Sequence, residues 1–251
     1  MLRRASGPNM RRLFAATLTA ATAVCCARGE DPQLALVQKK IASAIPGIDR
    51  SAVKLSAAPG LYQVERGQEY AYVTADGRYL IKGDMIDLET GAQITEEQRR
   101  TARLQLLAQF GRDDLIEFAP KSPRYAITVF TDVDCGFCRK LHSEMSSYYA
   151  QGIAVRYLFY PRTGPNTESF AKAEQVWCSE DRQDAMNRAK RGEALNISTA
   201  CPNPVLKQWQ AGETLGVNAT PMIVLPDGEL VRGYVPAARL AQRIASGNWK
   251  S

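Results

Sequence analysis

The chain has 251 residues, 45% of them hydrophobic and 23% charged, with no low-complexity tract, so it can form one or two folded domains. Its formal charge of +6 invites a nucleic-acid partner, but Arg3, Arg4, Arg11 and Arg12 fall in the first 27 residues, which hold no acid. Without that segment the charge is +2, and no basic cluster with interleaved aromatics is left to hold a phosphate backbone.

Residues 1–27 have the layout of an export signal peptide. Arg3 to Arg12 is a basic region, and Leu13 to Cys26 (LFAATLTAATAVCC) is an apolar stretch of 14 residues. A bilayer-spanning helix needs roughly 20, so this stretch is too short to be an anchor. Met10 is an alternative start. Small residues at Cys25 and Ala27 suit cleavage before Arg28; lipidation of Cys25 or Cys26 is the competing outcome, disfavoured by Val24 and Cys25 as preceding residues. If Cys25 and Cys26 leave with the leader, Cys135, Cys138, Cys178 and Cys201 remain. An even number in an oxidising compartment favours two disulfides over a metal site.

Residues 32–46 place Leu34, Val37, Ile41 and Ala44 at helical spacing, and Pro46-Gly47 closes the segment. Four strand-like pieces follow, at 53–58, 61–66, 71–76 and 78–88, separated by Pro59-Gly60, Gly67 and Asp76-Gly77. Those turns suit an antiparallel meander. One helix on a few strands makes a small core, which predicts that a strand edge pairs across a two-fold axis. Thr95 and Gln98 have capping-box spacing, and the charged and apolar run to Gly111 predicts a connecting helix. An ordinary surface helix of the second domain is the other interpretation of this segment.

From 124 onward the pattern is α/β. RYAITVF predicts a buried strand, and CRKLHSEMSSYYAQG a helix with Leu141, Met145 and Tyr148 on one stripe. IAVRYLFYP is a second strand ended by Pro161. A helical region covers roughly 167–216. TPMIVLPDGELVRGY predicts a hairpin turning at Pro226-Asp227-Gly228, and PAARLAQRIAS a last helix.

Cys135 and Cys138 stand between the first of those strands and its helix. Zinc needs four ligands, whereas the chain holds a single C-x-x-C and one histidine, His142. Haem attachment of the c type needs a histidine directly after the motif, where Arg139 stands. A structural disulfide over two intervening residues removes little chain entropy and is a poor staple. Redox work suits the spacing. A cysteine at the first turn of a helix meets unpaired N–H groups and the positive end of the dipole, which favour thiolate. Arg139 and Lys140 are expected to add positive charge, and such pairs bring the pKa into a range of about 3.5–7.5. Gly136 and Phe137, between the cysteines, tune reduced against oxidised forms. Cys178 and Cys201 lack the strand–helix setting and are read as a structural disulfide, contributing about 3.4 kcal/mol for a loop of roughly 24 residues. His142, seven residues after Cys135 on the same helix face, is read as structural rather than as a proton shuttle.

These residues carry a resemblance. FTDVDCGFCRKLHSEM, GIAVRYLFYPR, VWCSED, Cys201 and LGVNATPMIVLPDGELVRGY resemble, in order and spacing, the DsbC family of periplasmic thiol–disulfide isomerases, over essentially all of 32–246. The resemblance implies an α+β N-terminal dimerisation domain over 28–93, a linker helix over 94–117, and an α/β thioredoxin-like catalytic domain with a helical insertion over 118–248. It implies that Thr220-Pro221 forms the cis-proline loop that meets substrate beside the active pair, and that Cys178 and Cys201 form the second, structural disulfide. Arg139 replaces a histidine of the best-known member, which bears on redox poise. The buried acid that thioredoxins carry six residues before the first cysteine is Val129 here, which separates the chain from cytosolic reductants.

The expectation is a periplasmic homodimer that rearranges wrong disulfides in misfolded secreted proteins through Cys135, with Cys138 as escape route. A membrane thiol reductant of the DsbD kind would keep the pair reduced, no cofactor beyond the thiols is required, and chaperone activity is a companion. The alternatives are a DsbG-like reductase of oxidised single cysteines, a DsbA-like oxidase, in which the N-terminal domain has no purpose, and a dimeric periplasmic chaperone with merely structural cysteines.

Overall fold

The structure, a computed structural model, describes residues 31–247. The expected signal peptide, its cleavage before Arg28 and lipidation at Cys25 or Cys26 lie outside the described residues.

Asp31 opens the first helix. Its carboxylate accepts the N–H of Gln33 at 2.9 Å, and Pro32 takes the first helical position, where an N–H has no intrahelical partner to lose. The helix α1 (Pro32–Ala44) buries Val37 and Ile41 with Leu34 beside them, while Ala44, the last member of the expected stripe, is exposed. It packs against a four-stranded antiparallel sheet in chain order: β1 (Val53–Leu55), β2 (Leu61–Arg66), β3 (Glu69–Thr74) and β4 (Leu80–Lys82). The register sets Val64 opposite Ala71 and Tyr72 opposite Ile81. The fourth strand, expected over 78–88, has only three residues. Beyond it the Met85 N–H bonds the Thr95 hydroxyl at 2.7 Å, and the Asp87 carboxylate collects the N–H groups of Glu89 and Thr90 into a turn. Side chains thus draw the backbone out of the ladder.

The capping box expected at Thr95 does not form. The helix α2 (Ile94–Leu107) begins after Gln93, and Thr95 is buried within its first turn, where its hydroxyl bonds that of Tyr72 at 2.5 Å as well as Met85. A tertiary partner has displaced the local cap. Arg99 bonds the Gln68 carbonyl at 3.0 Å, and Arg103 reaches the Gln68 side chain at 3.0 Å and the Gly228 carbonyl at 3.1 Å. Arg100 pairs with Asp227 at 2.6 Å. The helix therefore ties the β2–β3 turn to the Pro226-Asp227-Gly228 turn of the second sheet. Gly228, at φ +82°, is required there, since a Cβ would lie 2.5 Å from the Arg100 carbonyl oxygen.

The helix is shorter than the connector expected over 94–117, because Ile116–Phe118 is already a strand, β5, of the second sheet. With β6 (Tyr125–Thr131), β7 (Ile153–Phe159), β8 (Met222–Val224) and β9 (Leu230–Arg232) it forms the order β5-β7-β6-β8-β9. Only β6 and β7 run parallel. Alternation along β6 sends Ile127 and Val129 into one apolar cluster and Phe130 into another; along β7, Val155, Tyr157 and Phe159 go one way and Leu158 the other. Both faces are thus covered, which is why these strands read as continuous apolar runs. One cluster takes in Leu141, Met145 and Tyr148. The helix expected around them is two helices, α3 (Gly136–Ser143) and α4 (Met145–Ala150), broken at Glu144, whose carboxylate accepts the Tyr234 hydroxyl. The insertion between β7 and β8 holds α5 (Glu168–Trp177), α6 (Arg182–Lys190) and α7 (Val205–Thr214); α8 (Ala237–Ser246) closes the described chain.

Candidate active site

The end of β6 prepares the site. Asp132, directly after the strand, is 2% exposed, and its carboxylate accepts the Asp134 N–H at 2.9 Å, the Ser169 hydroxyl at 2.8 Å and the Arg162 Nε at 3.0 Å. Burial works to raise its pKa, but these bonds together hold it below the ordinary carboxylate value. The chain then turns, and Cys135 occupies the N-cap position of α3 at φ −80°, ψ 123°. Four N–H groups at a helix start have no intrahelical partner, and those of Phe137 and Cys138 bond the Cys135 sulfur.

Both cysteines of the pair are free, and both are buried, Cys135 at 3% exposure and Cys138 at 1%. The Cys135 thiol donates to the Thr220 carbonyl at 3.2 Å, and the peptide between Thr220 and Pro221 is cis. Pro221 thus brings the start of β8 against the cysteine from the opposite side. The Cys135 pKa is lowered to about 5, first by hydrogen bonding from the Cys138 thiol, against burial, then by the neighbouring Thr220 side chain and by the two N–H groups. Cys138 is driven the other way, up, by burial first and by its bond to Cys135 second. One sulfur is prepared to be an anion and the other to stay a thiol. Phe137, between them, leaves its ring 64% exposed.

The charges expected from Arg139 and Lys140 are spent elsewhere. Arg139 turns back to the Val133 carbonyl at 2.8 Å and the Asp134 carboxylate at 3.2 Å, and the Lys140 ammonium sits 4.8 Å over the Tyr234 ring. Hydrogen bonds hold the Cys135 anion, and the guanidinium that senses its charge is that of Arg162. Sequence spacing did not single out Arg162 or Asp132, although both flank the strand ends that carry the motif. His142 is buried and satisfied, with Nδ1 3.1 Å from the Tyr157 hydroxyl and Nε2 2.8 Å from Asn187 Oδ1. Burial lowers its pKa to about 4, so it is neutral at neutral pH. Cys178, at the end of α5, is disulfide-bonded to Cys201, their Cα atoms 5.8 Å apart. Val129 lies fully within the core.

Comparison with known proteins agrees with this geometry. Residues 112–248 match the thioredoxin-like domain family, and residues 17–96 match the disulfide bond isomerase protein N-terminal domain family. The thiol:disulfide interchange protein DsbC of Dickeya dadantii is 36% identical over 192 residues, 76% of this chain and 78% of the relative. That of Escherichia coli K12 is 32% identical over 196 residues, covering 78% and 81% of the two chains. The DsbC of Haemophilus influenzae is 31% identical over 235 residues, 94% of this chain and 98% of its own. The chain belongs to the DsbC family. It is a thiol–disulfide oxidoreductase, with the N-terminal DsbC domain on the first sheet and a thioredoxin-like domain, carrying the insertion α5–α7, on the second. As a DsbC-family enzyme it needs one sulfur that attacks disulfides at neutral pH, and the Cys135-Gly136-Phe137-Cys138 motif stands where the second sheet delivers a chain end to a helix start.

Proposed function

We propose that this chain is a periplasmic, homodimeric protein disulfide isomerase whose nucleophile is Cys135. The observation that carries the proposal is the Cys135 sulfur at the start of α3, with its pKa lowered to about 5. At pH 7 that group is almost wholly thiolate. It attacks a sulfur of a wrong disulfide in a secreted protein; the S–S bond breaks, and the electron pair leaves on the other substrate sulfur. That new thiolate attacks elsewhere in the substrate until a stable bond set forms and Cys135 is expelled unchanged. When the substrate stalls, Cys138 attacks the Cys135 sulfur, the substrate leaves reduced, and the Cys135–Cys138 disulfide is returned to dithiol by a membrane reductant of the DsbD kind. Thr220 and cis-Pro221 lie against Cys135 and serve as the strand-like seat of the substrate backbone, with the exposed Phe137 ring beside it.

For the rest of the chain the proposal follows the expected plan: a signal peptide over 1–27, a dimerisation domain over 28–93, a linker over 94–117 and a catalytic domain over 118–248. The edge of the first sheet supports dimerisation, since all three residues of β4 are exposed, with Tyr79 and Ile86 nearby in the same state. Apolar surface between two catalytic domains would also hold unfolded chains, giving chaperone activity. Refolding of a scrambled multi-disulfide protein tests the central claim. Cys135→Ala should lose isomerisation altogether, and an active variant would overturn the thiol mechanism. Cys135→Ala with Cys138→Ala should still suppress aggregation.

A further inference from the structure

The mechanism leaves one buried charge unused. Lys190, the last residue of α6, is 5% exposed, and its ammonium donates to the Thr131 hydroxyl at 2.6 Å and to the Asp132 carbonyl at 3.0 Å, with the Tyr157 ring 5.7 Å away. Both bonds go to neutral oxygens. The Asp132 carboxylate itself is engaged by Arg162 and Ser169. Burying an ammonium against neutral acceptors alone is unfavourable, and such a group persists where a counter-charge is close or forms during function.

The same two residues that hold Lys190 also hold Cys138, whose sulfur is met by the Thr131 hydroxyl and the Asp132 N–H. Lys190 and Cys138 therefore share one platform at the end of β6. Burial lowers the Lys190 pKa, and among the charges that oppose this, Cys138 stands first, ahead of Asp132 and Cys135. With Cys135 tied up in a mixed disulfide, the other charged or titratable groups that face Lys190 are Asp132, His142, Tyr157 and Arg139. Asp132 is held below the usual carboxylate value, His142 stays neutral above about 4, the Tyr157 hydroxyl is pushed well above its ordinary value, and the Arg139 guanidinium works against the ammonium charge.

We propose that Lys190 is a positioning residue for the resolving step, the counter-charge that lets Cys138 ionise inside the protein once Cys135 is tied up in a mixed disulfide. This rests on the assignment of Cys135 as nucleophile and Cys138 as resolver. In the resting dithiol the negative charge sits on Cys135. A mixed disulfide removes that charge, and the buried ammonium then faces a neutral Cys138 thiol. The thiol gives its proton to solvent, and the thiolate attacks the Cys135 sulfur. The Cys135–substrate bond breaks, its electron pair leaves on the substrate sulfur, and that thiolate takes up a proton. The pair has lost two electrons and the substrate disulfide has gained them.

Stopped-flow mixing of the reduced full chain with oxidised glutathione separates the two halves. A first glutathione thiol is released as Cys135 attacks, and a second as Cys138 resolves. In Lys190→Met the first phase should stay within about threefold of wild type. The second should slow by roughly tenfold to a hundredfold at pH 7, and its pH midpoint should rise by about one to two units. Lys190→Arg should recover part of the loss. A folded Lys190→Met with an unchanged second phase and midpoint, or one that loses the first phase, overturns the proposal, whereas a first phase retained in Cys135→Ala would instead count against Cys135 as nucleophile. If Lys190→Met does not fold, NMR titration of the Lys190 side chain decides. The titration is run on Cys135→Ala beside Cys135→Ala with Cys138→Ala: the lysine should hold its proton to higher pH where Cys138 is present, and equal midpoints would overturn the proposal.

Discussion

The two sheets of this chain solve the same packing problem with different completeness. The second is sandwiched, with clusters of 27 and nine buried apolar residues among the described residues on its two sides, so most of β6 and β7 and all of β8 are buried. The first has one helix on one face and a cluster of seven. Its outer strand β4 is short and exposed along its whole length, and Leu88, just beyond it, is 93% exposed. A domain that small has little buried surface with which to offset the entropy of ordering its backbone. The difference fits the proposal above, in which the self-sufficient unit carries the candidate nucleophile and a second copy finishes the other.

The largest expected effect removes the incomplete unit. A fragment spanning 94–247 keeps α2, whose Leu106 and Leu107 cover one apolar cluster, and should remain folded with the Cys135 alkylation midpoint near the about 5 of the full chain. It should elute as a monomer in gel filtration, whereas the full chain should elute as a dimer. In the full chain, Ile81→Glu places a charge on the exposed strand and should raise the dimer dissociation constant at least 100-fold, about 3 kcal/mol. A fragment that stays dimeric would move the interface to the second sheet.

Next in size is the covalent tie within the complete unit. Cys178→Ser with Cys201→Ser should lower unfolding free energy by about 3 kcal/mol, read from denaturant titration. The rate of Cys135 alkylation should not change, because the bond joins the end of α5 to a loop of the insertion and takes no part in the α3 cap. A sandwiched domain should still fold without it. Complete loss of cooperative unfolding would show that the core clusters are not sufficient.

The seam between the units responds less strongly. Thr95→Val strips the hydroxyl that joins Tyr72 of β3 to the Met85 N–H, leaving two groups without that partner, and should cost about 1–3 kcal/mol. Thr95→Ser should retain most of the stability. The same residue shows where sequence patterns stop being informative. Thr95 and Gln98 carry a local cap signature, yet the hydroxyl is taken by a strand 23 residues earlier in the chain. The strand–turn–helix setting of the candidate pair, by contrast, is legible because its strand, its turn and its helix start are contiguous, and a helix N-terminus offers the same N–H groups in any protein. Thr220 and Pro221, 85 residues from Cys135, were reachable only through the family resemblance. Arg139 and Lys140 were credited with charge near Cys135 because they follow it in sequence, but side-chain direction is set by partners, and theirs lie at Val133, Asp134 and Tyr234. Arg162, Asp132 and Lys190 escaped for the converse reason, since only the folding of the insertion over the end of β6 brings them together.

The smallest expected effect is a pH dependence seated in the complete unit. His142 is neutral in the folded chain, its pKa lowered to about 4 by burial, whereas in the unfolded chain it titrates at about 6.5. Below 6.5 the unfolded state therefore binds a proton that the folded state does not. The stability associated with the neutral ring is fully present above that pH and is lost as pH falls towards 4. By pH 5.5 the loss should reach about 1 kcal/mol, seen as a drop in the urea midpoint at constant slope. His142→Gln, which can still reach Asn187, should lose this part of the pH slope while unfolding at a similar midpoint at pH 7. A variant that keeps the wild-type slope would place the acid sensitivity on other groups, and the buried ring between Tyr157 and Asn187 would then be a packing element with no electrostatic consequence.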